Sequence, residues 1–296
     1  MVLSIRIRLF AAALAAPLLY LPAPAEAASS FDGCTGMIAS LPTTITTQGV
    51  WCFDKDLSVA ITSGEAITIG TNNVTIDCNG FKLGGLAGGA GTNTLGIFGE
   101  SRNNVGVRDC NIRGFAVGVS IQGQGTGGHR VERNRLDGNR FAGIVVVGDG
   151  ALVRDNAVFD TGGSTSVMPA QRSAAIVALG QVDVLDNQIV GVDGTGASEN
   201  GADGIVFFGG SGAQLAGNRI SGVVPDPDFP GETTGIRFVA DGLFDVRDNV
   251  VFVAAGVGVR CASAKQMLRE NHIVALLPQS ACGDGGDNYG GAAVFE

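Results

Sequence analysis

The segment Val131-Glu132-Arg133-Asn134-Arg135-Leu136 contains the pattern that decides the fold: an Asn with an apolar residue three positions before it and another two positions after it. Looser copies end at Asn79 and Asn111, each preceded by Asp-Cys, and the steps from Asn to Asn are then 32, 23, 22, 31, 31, 31 and 22 residues. A pattern that recurs at such a period indicates a repeat architecture. The later copies are 153-VRDNAV-158, 184-VLDNQI-189, 215-LAGNRI-220, 246-VRDNVV-251 and 268-LRENHI-273.

A second marker, a small residue followed by an aliphatic one, runs in phase with the Asn pattern and begins short apolar runs such as Ile144 to Val147. Units of about 22 residues with short strands and one Asn at a fixed turn predict a parallel β-helix, in which equivalent residues stack about 4.8 Å apart. A stacked, buried Asn can bond the Asn of the next coil and satisfy the turn backbone. Regularly spaced Asn-Gly hairpins, which an antiparallel meander would need, are missing, as is the Leu framework of leucine-rich repeats. We therefore predict an all-β protein, a single-stranded right-handed parallel β-helix solenoid.

These repeats resemble the PbH1-type repeats of the pectin-lyase-like superfamily, which includes pectate lyases, polygalacturonases and periplasmic accessory β-helix proteins of copper sites. The opening segments Gly49–Cys52, Ala66–Ile69 and Asn73–Gly80 are similar to the start of such exported proteins, and the likeness covers about Leu41 to Val274. The resemblance implies the fold and, as the default ligand, a polysaccharide. It does not imply one activity, because the fold hosts lyases, hydrolases, epimerases and binding proteins.

The catalytic motifs of the enzymatic relatives do not occur in the chain. The polygalacturonase-like set Asn-Thr-Asp, Asp-Asp, Gly-His-Gly and Arg-x-Lys is missing, and so is the epimerase-like Asp-Pro-His-Glu. His129, in Gly-His-Arg, is one residue short of Gly-His-Gly and aligns with the inward-facing Ala151 and Val182. We therefore predict that His129 lies in the interior and is not a catalytic base.

Residues 1–27 are predicted to be a signal peptide. Arg6 and Arg8 precede an apolar run from Leu9 to Leu21, and Ala25-Glu26-Ala27 fits a cleavage site. The run is too short for a membrane anchor, and no later segment could span a bilayer. We expect a secreted or periplasmic monomer with the following parts: an N-terminal cap over 28–65, the β-helix over 66–275 and a C-terminal cap or tail over 276–296.

Composition restricts the partners of the chain. It has 296 residues and a net charge of −9, which argues against nucleic acid because attraction to phosphates needs a basic surface. Aromatic residues make up 6% of the chain and leave few platforms for stacking bases or sugars.

Six cysteines follow the predicted signal peptide, and an even number in an exported chain favours disulfides. Sequence alone allows fifteen connectivities, but position favours neighbours. No Cys-x-x-Cys pair occurs and neither His lies near a cysteine pair, so a metal site of these residues is weakly supported. The favoured pairs are Cys34–Cys52, Cys78–Cys110 and Cys261–Cys282, the last of which would tether the C-terminal cap.

Three consecutive coils are 31 residues long, and their extra residues fall at the same turn, at about 161–173, 193–203 and 223–234. Because coils stack, these loops are predicted to be neighbours on one side, where solenoids commonly bind their ligands. Their carboxylates would suit Ca²⁺ or paired acid–base catalysis on a glycosidic bond, or would form a solvated acidic surface. The candidate catalytic residues are Asp203, Asp228, Arg172 and Arg237, and the candidate ligand-binding residues are Asp193, Glu199, Asp226 and Glu232.

Two outward columns of charged residues offer a second kind of candidate, since rows of Arg can bind polyanionic glycans. Charges outside a strand also keep a solenoid soluble, so both interpretations stay open. One column lies at +1 from the Asn (Arg135, Gln188, Arg219, His272) and the other at −2 (Glu132, Arg154, Arg247, Arg269).

The sequence therefore supports three functions. The first is an exported β-helix that binds a polysaccharide or another cell-envelope ligand. The second is a polysaccharide lyase or glycoside hydrolase that works in a cleft between the three long loops. The third is a structural or protein-interaction solenoid.

Overall fold

The computed structural model describes residues 33–166, 172–194, 201–226, 228 and 231–292, which all belong to one compact unit. Within these ranges the chain forms 29 β-strands and one 3₁₀ turn, Leu86–Gly88. The protein is all-β, as predicted.

The strands form three faces, which we call A, B and C. Face A contains β1 (Gly36–Met37), β3 (Gly49–Cys52), β6 (Val74–Asp77), β9 (Val105–Arg108), β12 (Arg130–Glu132), β15 (Ala151–Arg154), β18 (Val182–Leu185), β21 (Ala213–Ala216), β24 (Phe244–Arg247), β26 (Gln266–Arg269) and β28 (Gly283–Asp284). Face B contains β2 (Thr43–Ile45), β5 (Glu65–Ile69), β8 (Leu95–Glu100), β11 (Val117–Gln122), β14 (Ala142–Val147), β17 (Ser173–Leu179), β20 (Ala202–Phe207) and β23 (Thr233–Phe238). Face C contains β4 (Leu57–Ser58), β7 (Lys82–Gly84), β10 (Asn111–Arg113), β13 (Arg135–Asp137), β16 (Ala157–Thr161), β19 (Gln188–Asp193), β22 (Arg219–Val224) and β29 (Tyr289–Ala292).

Two long strands, β25 (Val250–Arg260) and β27 (His272–Ser280), run through faces C and B and join them into one 18-stranded sheet. Along the chain the order C, B, A repeats, and each strand pairs in parallel with the strand one coil later. For example, β14 pairs with β17 through Ile144 and Ile176, and β17 pairs with β20 through Ile176 and Ile205. The sheets are stacked and open, and this arrangement fits a parallel β-helix.

The interior is filled by columns of aliphatic side chains at the −3 and +2 positions of the Asn pattern. Val153 and Val158 of one coil are fully buried, as are Val184 and Ile189 of the next. Alternation along a strand sends every second side chain inward, and coil stacking then turns a repeat in sequence into a continuous core.

The Asn residues form a ladder at the turn from face A to face C. Each Nδ2 donates to the Oδ1 of the Asn one coil later at 2.9–3.0 Å, and to a backbone carbonyl of the preceding coil at 2.8–3.0 Å. The same Oδ1 accepts the backbone N–H of the preceding Asn. Buried polar groups are thereby satisfied in a column that runs through Asn134, Asn156, Asn187, Asn218, Asn249 and Asn271.

The first two positions of this column are cysteines. The alignment of the internal repeats, which placed Asn111 at this position, was therefore wrong by one residue. Asn111 pairs with Arg135, and the N–H of Cys110 donates to Asn134 Oδ1 at 3.1 Å, so Cys110 occupies the ladder position. Cys78 is its partner one coil earlier, and the disulfide between them replaces an Asn–Asn contact. The structure also contains the other two favoured pairs, Cys34–Cys52 and Cys261–Cys282.

Parallel pairing extends beyond the predicted limits of 66–275 at both ends. It begins with Gly36 opposite Trp51 and continues to Ala275 opposite Ala292, and the ladder gains a last member in Asn288. The segments assigned to caps therefore supply strands to terminal coils. In the described part of the chain there is no helix of the length and hydropathy that a membrane crossing requires; the predicted signal peptide lies outside the described residues.

Candidate functional site

The three long loops lie at one turn, as predicted. Each connects a face C strand with the next face B strand: β16 with β17, β19 with β20, and β22 with β23. Because β16, β19 and β22 pair with one another, as do β17, β20 and β23, the strand ends from which the loops leave and to which they return lie side by side.

Three of the predicted site residues meet at this turn. The carboxylate of Asp203 accepts hydrogen bonds from Arg172 Nε and Nη2, both at 3.0 Å, and from Arg237 Nε at 2.9 Å. Arg172 precedes β17, Asp203 is the second residue of β20, and Arg237 lies in β23, so the network ties three successive coils together. Asp203 is fully buried, whereas the side chains of Arg172 and Arg237 are 14% and 19% exposed.

Glu232 and Arg260 extend this network toward solvent. Arg172 Nη2 also donates to the backbone carbonyl of Glu232, and the Glu232 carboxylate pairs with the Arg260 guanidinium. Arg260 is 39% exposed. We call this set of side chains the arginine cluster; it consists of Arg172, Arg237, Arg260, Asp203 and Glu232. Its three cations and two anions give it a net charge of +1 on an acidic protein.

Asp203, one of the candidate catalytic residues, is an enclosed carboxylate in the structure. Its two oxygens are occupied by arginine N–H groups, and its burial shields it from solvent. A ligand could not reach it without displacing an arginine. The physical reason is that β20 begins at Ala202, so Asp203 belongs to a packed strand instead of the loop. Its role in this geometry is to position Arg172 and Arg237.

No hydrogen bond or ion pair between described residues joins Asp193 or Asp228 to the cluster. Asp193, the last residue of β19, lies near Asp160; partial desolvation raises the pKa of its carboxyl, and repulsion from Asp160 adds to the rise. Asp228 is exposed, and its backbone N–H donates to the Asp226 carboxylate at 2.9 Å. Glu199 lies outside the described residues.

The carboxylates of the loops are also a candidate Ca²⁺ site. Among the residues that the structure describes, no group of three or more His, Cys, Asp or Glu side chains is arranged to hold a metal ion. The carboxylates nearest to the arginines are already neutralised by them, so the described geometry favours an anion over a cation as ligand.

Sequence reasoning missed Arg260, although a signal for it was present. The second marker aligns Gly235-Ile236-Arg237 with Gly258-Val259-Arg260, and the strand register places Arg237 opposite Arg260. An outward arginine on adjacent coils could therefore have been predicted by comparing the residue after each marker.

The charged residues of the −2 column pair with one another or with local carboxylates, and Arg135 of the +1 column pairs with Asp137. Arg154 bonds Glu132 at 2.8 Å on the adjacent coil, and Arg269 forms a double hydrogen bond with Asp245. Such partly exposed pairs are typical of a soluble surface and contribute little individually. His129 is fully buried, as predicted.

Comparison with known proteins adds little to this geometry. No family model and no curated protein matches the chain. A structure search finds similarity to the A-module of a mannuronan C-5 epimerase from Azotobacter vinelandii, with 12% identity, a TM-score of 0.33 and coverage of 89% of this chain and 88% of that chain.

Proposed function

We propose that this chain is an exported right-handed β-helix solenoid that binds an acidic polysaccharide through the arginine cluster. The single observation that carries the proposal is the position of Arg172 and Arg237, held by a buried Asp203 at the turn from face C to face B. A buried carboxylate that pre-orients two arginines lowers the cost of ordering them when a ligand binds.

The charge balance of the cluster supports an anionic ligand. The three guanidinium groups exceed the two carboxylates by one, and guanidinium groups match carboxylate and sulfate geometry well. The three disulfides support an oxidising compartment, secreted or periplasmic, where an extended acidic glycan would be met.

We prefer a binding function to a catalytic one because the carboxylates of the arginine cluster are already bonded to arginines. Within the described residues of the cluster, both Asp203 and Glu232 are bonded to arginines, and a hydrolase needs one carboxyl group to donate a proton and a second to act as base or nucleophile. A lyase or hydrolase is therefore the second proposal, and it would need catalytic groups beyond those described in the cluster.

The test is a titration of the mature, oxidised protein with a polyuronate and with a neutral glucan of similar length. We expect binding to the polyuronate only, and affinity that falls as salt rises because exposed charges are screened. Equal affinity for the two polymers, or none for the polyuronate, would overturn the proposal.

Variants locate the site. Arg260→Gln should weaken polyuronate binding about tenfold, as expected for the loss of one charged hydrogen-bonding group, without unfolding the protein because Arg260 is partly exposed. Arg219→Gln, an exposed arginine of face C, is the matched control and should bind like the parent. Release of unsaturated or reducing products by the parent protein would instead favour the enzyme.

A further inference from the structure

The first long loop folds back along the stack instead of staying over its own coil. Directly after β16, the N–H of Gly162 donates to the carbonyl of Asn139 on the preceding coil at 2.9 Å. Gly162 and Gly163 have φ values of 123° and 68°, which glycine adopts readily because it has no Cβ. Two glycines in a row thus allow the chain to turn away from the coil to which it belongs.

The next residues, 164–166, which we call the strap, contact the turn between β7 and β8, three coils before their own. The N–H of Thr165 donates to the carbonyl of Ala90 at 3.1 Å, and the hydroxyl of Ser166 donates to Asn93 Oδ1 at 2.7 Å. The coils of β11 and β14 lie between these partners. The strap and the turn that it contacts therefore meet across these two coils and add a layer of chain there.

This layer borders the arginine cluster on one side. Arg172 belongs to the coil of β17, directly after the covered coils, and Arg237 and Arg260 lie on later coils. On the far side of the cluster, β25 and β27 pass from face C to face B without leaving the strand. In the described part of the chain, the turn surface is therefore covered on the N-terminal side of the cluster and uncovered on the C-terminal side.

A fourth arginine lies at the border of the covered turns. Ala142 pairs with Ala174, and counting back along both strands places Arg140 opposite Arg172, on a coil that the strap crosses. The side chain of Arg140 is partly buried, and its Nε is shielded from solvent without a hydrogen-bond partner. No described carboxylate forms an ion pair with Arg140, whereas Arg172 pairs with Asp203. Arg140 therefore supplies a cation that the described fold does not neutralise.

We infer that the arginine cluster and Arg140 bind the terminal residues of an acidic glycan, whose chain end is stopped by the strap. The inference rests on the proposed function, because the cluster must bind the glycan before the position of its end matters. A glycan that follows the arginines from coil to coil could bind through an internal segment only if it continued on both sides of the cluster. On the N-terminal side the strap occupies that path, and Arg140 is placed there to pair with the carboxylate of the last uronate.

Stoichiometry tests the inference, because chain ends and internal segments depend differently on polymer length. The mature, oxidised protein is titrated calorimetrically with two preparations of one polyuronate whose chains differ about tenfold in length. We expect the same number of protein molecules per chain for both preparations. A number of bound molecules that rises in proportion to chain length would overturn the inference.

Two variants locate the chain end. Arg140→Gln should weaken polyuronate binding about tenfold, as expected for the loss of one charged hydrogen-bonding group. Arg130→Gln, at an exposed arginine of face A, is the matched control and should bind like the parent. Unchanged affinity of Arg140→Gln would overturn the placement of the end.

Deleting the strap, residues 164–166, should allow internal segments to bind, so that each long chain holds more protein molecules than it does with the parent. A variant that keeps the parental circular dichroism and the parental number per chain would overturn the role of the strap. If the deletion prevents folding, the stoichiometry of the parent still decides.

The two proposals fail separately. Binding that scales with chain length would leave the proposed function intact and overturn only the inference about chain ends. A lack of binding to both preparations would overturn both.

Discussion

At the scale of single residues, His129 and the ladder Asn side chains show how polar groups are accommodated in an apolar interior. His129 Nδ1 accepts the N–H of Val105 at 3.4 Å, and Nε2 lies 3.4 Å from Thr126 Oγ1. The Thr126 hydroxyl donates to the Gly123 carbonyl at 2.6 Å, which leaves its oxygen to accept the Nε2 proton. Both ring nitrogens are therefore used by a neutral imidazole, and burial lowers the pKa of His129.

The pH dependence of stability follows from this burial. Below the ordinary His pKa of about 6.5 the unfolded chain binds a proton that folded His129 resists, so stability should fall as pH drops from 7 to 5. His129→Gln, whose amide can accept and donate in the same places, should show a smaller decrease in melting temperature over this range. His272→Gln, at an exposed histidine, is the control, and an equal effect of the two variants would contradict the assignment.

Asn187 tests the ladder itself. Asn187→Leu leaves the N–H of Asn156 without its acceptor and the carbonyl of Val153 without the Asn187 Nδ2 donor, while Asn218 Oδ1 keeps only the backbone N–H of residue 187. At about 1–3 kcal/mol for each buried unsatisfied group, denaturant unfolding should show a loss of several kcal/mol. Gln188→Ala, at the next and exposed position, should change stability by less than about 0.5 kcal/mol. A loss below about 1 kcal/mol for Asn187→Leu would mean that the ladder is not a major source of stability.

At the scale of elements, two different side-chain contacts can join successive coils at the ladder position. The ladder position is filled by cystine in the two coils that contain Cys78 and Cys110 and by Asn in the coils that follow, and both connect one coil to the next across the same turn. The register of β10 with β13 places Cys110 directly before Asn134 in the column. Either a disulfide or an Asn–Asn hydrogen bond can therefore connect two coils at this turn, as long as the turn geometry is the same.

This equivalence predicts a rescue. Replacing both Cys78 and Cys110 with Ser should cost about 3–4 kcal/mol, since the disulfide closes a separation of 32 residues. Changing Cys110 to Asn while Cys78 is Ser should recover part of that loss, because Asn at this position can donate to Asn134 Oδ1. Denaturant unfolding of the two double variants under non-reducing conditions makes the comparison, and equal stabilities would argue against the equivalence.

At the scale of the whole molecule, stability should vary along the stack. Each coil contacts only its neighbours, so terminal coils have one neighbour and central coils have two. The network of Arg172, Asp203 and Arg237 adds cross-coil ties in the centre. The fold therefore has a protected middle and weaker ends.

Hydrogen exchange checks this gradient. Amides of β17, β18, β20 and β21 should exchange most slowly, and those of β1, β2, β28 and β29 fastest, because local opening costs least at the ends. Asn187→Leu should accelerate exchange in the central coils more than at the termini. Uniform protection along the chain would indicate that the stack opens as a single unit.

The repeating part of the architecture could be predicted from the sequence because a coil's local pattern is copied at each turn. The Asn at a fixed turn, the apolar residues at −3 and +2, and the common turn of the long loops all follow from stacking one period on the next. Cysteine pairs favoured by position are likewise neighbours in the stack. The one-residue error at Asn111 arose because Cys110 breaks the Asn pattern while obeying the same geometry.

Only the tertiary structure decided the contacts between non-repeating residues of neighbouring coils, because the repeat pattern does not specify them. Whether Asp203 faces solvent or is enclosed depends on Arg172, 31 residues away, and on Arg237, 34 residues away, and no repeat rule demands those arginines. A one-dimensional pattern determines the stack because each coil repeats the last, whereas a surface site depends on residues that differ from coil to coil and acquires its chemistry only when the coils are in register.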